Sequence, residues 1–98
     1  MIPLFYEPEA IADIEAIRAW YDHQSPELGT RFVDDAGATF QRIQLSPRLY
    51  RSVFPLVRRA LLRHFPYMVY YQFEGGAIFV LAVLHQASSQ TTIESRLG

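Results

Sequence analysis

The chain has 98 residues, a net charge of −1, half of its residues hydrophobic, 14% aromatic and no cysteine. This composition excludes a disordered chain, and it excludes disulfide and thiolate chemistry. The length fits one domain, residues 1–98, burying roughly 60–65% of its unfolded surface around one modest core. Residues 1–8 lack the basic start and long apolar run of a secretory signal. The longest apolar run, residues 77–84, is too short to span a bilayer. With cysteine absent as well, a cytoplasmic protein with no membrane contact is expected.

The charge is unevenly spread. Residues 1–35 carry eight acids and two arginines, a net −6, whereas residues 36–73 carry six arginines and no acid, a net +6. Either the two halves neutralise each other in the fold, or the arginines form a basic face for an anionic partner. All nine basic residues are arginine. That suits bidentate contact with carboxylate or phosphate, although codon bias gives the same composition.

In chain order, residues 2–6 read as a short first strand. Pro8 suits the first turn of a helix, with Glu9 at its positive end. Ala10, Ile11, Ile14, Ile17 and Tyr21 share one face of that helix, with Trp20 at the rim, and it ends near Gln24. Ser25, Pro26 and Glu27 give a capping hydroxyl, a proline and an acid, a second helix start. Leu28, Phe32, Val33, Ala36, Phe40 and Ile43 form its apolar stripe, with Arg31, Asp34, Asp35, Gln41 and Arg42 opposite. Arg31 and Asp35 are one turn apart and can pair. Gly37 permits close approach of a neighbour. The helix stops at Ser46 and Pro47, so the two helices form an antiparallel hairpin.

A loop is expected over residues 46–56, followed by strands at residues 57–65, 67–73 and 77–85. Turns lie at Pro66 and at Glu74, Gly75 and Gly76. The fold class is therefore α+β, in the order β-α-α-β-β-β, with the helical hairpin packed on one face of a small, mainly antiparallel sheet. The last strand is apolar on both sides: Ile78, Val80, Ala82 and Leu84 on one, Phe79, Leu81 and Val83 on the other. The hairpin covers one face only. The second is expected to meet a partner, unless loop 46–56 and the C-terminal segment fold over it.

Several side chains are candidates for chemistry. On a strand over residues 57–65, Arg59 and Arg63 share a face about 7 Å apart, with Arg58 on the other. Such a pair clamps phosphate or carboxylate, or protects an exposed edge. His85 ends the last strand, where a histidine serves as general acid or base, or as a structural group bonded to a backbone carbonyl. His23, His64 and His85 lack metal-ligand spacing, so no metal is expected. The six tyrosines, Tyr70 among them, read mainly as half-buried residues with wet hydroxyls. There is no nucleophile elbow, and no phosphate-binding or dinucleotide loop, so no cofactor is expected.

Five segments, AIADIEAIRAWY (10–21), PELGTRF (26–32), SPRLY (46–50), VRRALLRHFPYMVYY (57–71) and VLAVLH (80–85), follow in order. Together they resemble the ParE branch of the RelE/ParE toxins of bacterial type II toxin–antitoxin systems, over nearly the whole chain. The resemblance implies a β-α-α-β-β-β fold and a cognate antitoxin that binds DNA at its N-terminus and wraps an acidic C-terminal segment around the toxin. Arg58, Arg59, Arg63, Trp20, Tyr21, Tyr70 and Arg96 are the partner-contact candidates it implies. Relatives of ParE type poison DNA gyrase by protein contact, without catalysis. Those of RelE type cut mRNA in the ribosome, which here would use Arg59, Arg63 and His85. A polyanion-cleaving protein tends to be basic, whereas this chain has net charge −1 and no lysine. The tail also departs from the H-x-x-R-x-P-x-x-W-x-x-R often found after the final histidine: Ser88, Gln90 and Ile93 replace the first arginine, the proline and the tryptophan, and Arg96 remains. Both points favour a gyrase poison over an RNase and leave open a weakened toxin that only binds its antitoxin.

Overall fold

Proline sets both helix starts. In the computed structural model, which describes residues 1–98, Pro8 opens α1 (Pro8–Gln24) and Pro26 opens α2 (Pro26–Leu45). A proline there gives up only an N–H that the first turn leaves unpaired anyway. Ser25 alone joins the helices in an extended conformation, its N–H donating to the Tyr21 carbonyl at 3.0 Å. Its hydroxyl makes no capping bond, contrary to expectation. Gly29, not Gly37, is the close-approach glycine: a Cβ at Gly29 would run into the Asp22 carboxylate, while one at Gly37 would meet open space.

The sheet has five strands, β1 (Leu4–Tyr6), β2 (Arg51–Phe54), β3 (Val57–Leu61), β4 (Tyr67–Glu74) and β5 (Ala77–His85), in the spatial order β1-β5-β4-β3-β2. Only β1 and β5 are parallel. Gly75 and Gly76, at φ of 60° and 78°, make the β4–β5 turn that a residue with a Cβ resists. The expected α+β arrangement holds, with two additions: β2 lies inside the expected loop 46–56, and α3 (Gln90–Leu97) follows β5.

A bulge divides the apolar pattern of β5. Tyr70 is opposite Ala82 but Tyr71 is opposite Val80, leaving Leu81 as the extra residue. Ile78, Val80 and Val83 therefore face the hairpin, and Ala82 and Leu84 face away, joined by Leu81. On the hairpin side a core of 13 buried residues includes Phe32, Phe40, Ile43, Val69 and Tyr71. On the other side the buried cluster is Val57, Tyr70, Ala82 and Leu84, covered by Val53 and Phe54 from β2 and by Ile93 and Leu97 from α3. The chain thus covers the centre of its own second face. Leu61 and Phe5, both 53% exposed, remain at its margins.

Asp35 fastens the hairpin to the sheet. The residue is 6% exposed, and its carboxylate accepts from the backbone N–H groups of Arg63, His64 and Phe65 at 3.3, 2.8 and 3.0 Å. A buried carboxylate is tolerated only with such donors. The segment after Leu61 is thereby drawn off β3, so the strand expected over 57–65 ends early. Asp35 makes no ion pair with Arg31, contrary to expectation.

Candidate functional site

The second face is built around a row of cross-strand neighbours. Arg51 on β2 is directly opposite Arg59 on β3, which is opposite Tyr70 on β4, which is opposite Ala82 on β5. Residues paired in this way put their side chains on one face. Arg51, Arg59 and Tyr70 of this row line a hollow of about 240 Å³ together with Gln90 and Ile93 of α3. No acid neutralises the two arginines: the chain has two ion pairs, Arg18 with Asp22 and Arg96 with Asp13. None of the six arginines in residues 36–73 pairs with an acid, so the two halves of the chain do not neutralise each other by contact.

The β2–β3 hairpin turns through Pro55 and Leu56. Leu56 has φ of 67° and is 65% exposed. A leucine in that conformation costs about 1–2 kcal/mol, and most turns of this kind use glycine or asparagine. An apolar side chain on a strained backbone thus lies exposed at the end of the arginine-bearing hairpin.

α3 rests on this face and is held at both ends. Ser89 caps its start, accepting from the Thr92 N–H at 3.1 Å. Near its end, Arg96 donates to both Asp13 oxygens at 3.1 and 2.8 Å. These bonds hold the Arg96 guanidinium charged above its ordinary range, against a smaller opposing effect of burial. Asp13 also accepts from the Val83 N–H at 3.0 Å. β1 is only three residues long and pairs no further than Val80, so α1 supplies the next acceptor along β5.

Similarity to known proteins follows this architecture. The family model described as "ParE toxin of type II toxin-antitoxin system, parDE" matches residues 4–89. The chain belongs to the ParE toxin family. A solved structure described as the chromosomal ParDE TA system from P. aeruginosa matches with a TM-score of 0.77 and 25% identity, covering 87% of this chain and 96% of that one. The isolated E. coli RelE toxin shares the fold, with a TM-score of 0.67 and 19% identity over 97% of this chain and 95% of that one. Among functionally curated protein sequences none matches.

In this ParE-family chain the three residues expected of an RNase do not converge. Arg59 is half-buried on the α3 face. Arg63 has left the strand and its side chain borders a cleft beside α2. His85 is exposed at the end of β5, its ring edge-on to Tyr67 at 5.1 Å on the hairpin side of the sheet. Its Nδ1 accepts the Ala87 N–H at 2.9 Å, rather than donating to a carbonyl.

The remaining candidates are equally scattered. Arg58 lies on the hairpin side and donates to the carbonyls of Arg48 and Tyr50 at 3.1 and 2.8 Å, bracing the turn after α2. Tyr70, at 2% exposure, is covered while α3 is in place, so it offers no free contact surface. Tyr21 sits in an aromatic cluster with Phe32, Phe65 and Tyr67. Trp20, 58% exposed, is the free member of the set on the hairpin. No group of three His, Asp or Glu side chains is placed to hold a metal, and no helix is long and apolar enough to cross a membrane. Reading the sequence missed Arg51, because its pairing depends on β2, and Leu56, whose backbone conformation has no signature in the residue itself.

Proposed function

We propose that this ParE-type toxin inhibits DNA gyrase by protein–protein contact and is neutralised by a cognate antitoxin. What supports the contact reading is that Arg59 stands on the α3 face while Arg63 and His85 lie on the hairpin side, and that Arg51 and Arg59 stand together without a counter-charge. A phosphoryl-transfer site needs its donors and its proton-transfer group on one reacting centre. Hot spots of protein interfaces are enriched in arginine, and here the unpaired Arg51 and Arg59 sit on the hairpin whose turn exposes Leu56. The target surface is therefore acidic, with a hollow for the hairpin end. The antitoxin's acidic segment competes for the same arginines and also covers exposed apolar groups of the hairpin such as Trp20 and Ile11.

The test is a supercoiling assay on relaxed plasmid with the antitoxin-free chain. The reading predicts loss of supercoiling and accumulation of cleaved DNA, both reversed by the antitoxin. Full supercoiling at excess chain rejects gyrase as the target. Ribosome-dependent mRNA cleavage in a parallel translation reaction would reassign the chain to the RNase mode of its RelE-like fold neighbour.

A further inference from the structure

Across the molecule from the Arg51 and Arg59 row, the fastening by Asp35 creates a second concave site. Because Asp35 holds the backbone of residues 63–65 against α2, Arg63 is carried to the helix side that bears Arg31 and Arg42. The three arginines border one cleft of about 440 Å³, with Phe65 and Ala38 as its apolar wall. None of the three makes an ion pair, although Asp34 and Asp35 border the same cleft. Asp35 is committed to its three backbone donors, and Asp34 lies exposed. The only side-chain bond among the arginines is from Arg42 to the Thr39 hydroxyl at 2.9 Å, which leaves the rest of its fork free.

We propose that this cleft binds a small phosphomonoester, with Arg31, Arg42 and Arg63 holding its terminal phosphate oxygens. A single carboxylate is satisfied by one bidentate guanidinium, whereas a phosphomonoester dianion has three terminal oxygens and nearly two charges to distribute. The cleft volume lies within the range of about 300–1,000 Å³ usual for small-ligand sites, more than inorganic phosphate alone requires. Phe65 and Ala38 are placed for the organic part of the ligand.

The test is an NMR titration of the full chain at fixed ionic strength, with inorganic phosphate, phenyl phosphate and benzoate as probes. Saturable shifts of the residue 63–65 amides are expected, with phenyl phosphate tighter than inorganic phosphate and benzoate at least tenfold weaker. Arg31→Gln with Arg63→Gln weakens phenyl phosphate binding at least tenfold. Both residues are exposed and their side chains make no hydrogen bond, so the fold is kept. Arg51→Gln with Arg59→Gln leaves the affinity unchanged. Shifts that do not saturate, benzoate binding equal to phenyl phosphate, phenyl phosphate no tighter than inorganic phosphate, or full affinity in the Arg31 and Arg63 variant would each overturn the assignment.

Discussion

The two faces of the sheet are built differently. The hairpin face closes over 13 buried residues, and its buried polar groups are matched: Asp35 to three backbone donors, the Thr39 hydroxyl to the Asp35 carbonyl at 2.9 Å, the Tyr71 hydroxyl to the Pro47 carbonyl at 2.7 Å. The α3 face buries four residues under an eight-residue helix, places two arginines directly opposite each other, and holds Leu56 in a left-handed backbone conformation. One face carries the stability. The other retains costs that a fold selected for stability alone would have removed, and such retained costs concentrate where a protein meets its ligands.

The largest effect separating the faces is expected from matched truncations. Phe32→Ala, in the hairpin core at 0% exposure, should cost about 4 kcal/mol in urea denaturation. Ile93→Ala, on the packed side of the mostly exposed α3, should cost about 1 kcal/mol. Equal losses would show that the faces share one core. Asp35→Ala should cost about 3 kcal/mol, because three donors lose a charged acceptor. A loss within the range of ordinary surface substitutions would mean that water replaces the carboxylate.

A third distinction is read with pH. Burial pushes the Tyr71 hydroxyl from 10.0 up to about 12, the nearby Arg58 charge opposing it and Tyr50 adding to it. Tyr67 and Tyr6, which also pack on the hairpin side, are raised too, chiefly by burial. The folded chain keeps these protons after the unfolded chain has lost them, so this stabilisation is complete below pH 10 and is lost as pH rises through about 12. Tyr71→Phe should flatten the fall in unfolding free energy over that window. An unchanged slope would assign the fall to other groups. The smallest effect has the opposite sign: Arg59→Gln removes a like-charge cross-strand pair and should raise stability by about 0.2–1 kcal/mol, most at low salt. A loss of stability would mean that Arg59 is neutralised in a way its neighbours do not reveal.

The hairpin face was the legible one. Pro8, Pro26 and the Ser46 and Pro47 stop mark the helix limits almost to the residue, since proline acts locally on the backbone. The second face was not legible, because its features depend on contacts distant in sequence. β2 is four residues long and exists through its pairing with β3. α3 carries Thr91, Thr92 and Ile93 in its first half, poor helix formers, and is held by Ser89, Arg96 and its packing. The bulge at Leu81 left no trace in a strand already apolar on both sides. Asp35 looked like a surface acid beside Arg31, and only the fold reveals that it bonds residues 63–65 and takes Arg63 away from Arg59.

The most direct measurement compares the Arg51→Gln, Arg59→Gln double variant with the unaltered chain in gyrase supercoiling, with urea denaturation run on the same preparations. The account predicts at least a tenfold rise in the concentration needed for half-inhibition, with stability unchanged or slightly raised. Full inhibition by a variant that is equally stable would contradict it, by showing that the face with the retained costs is not the face that meets the target.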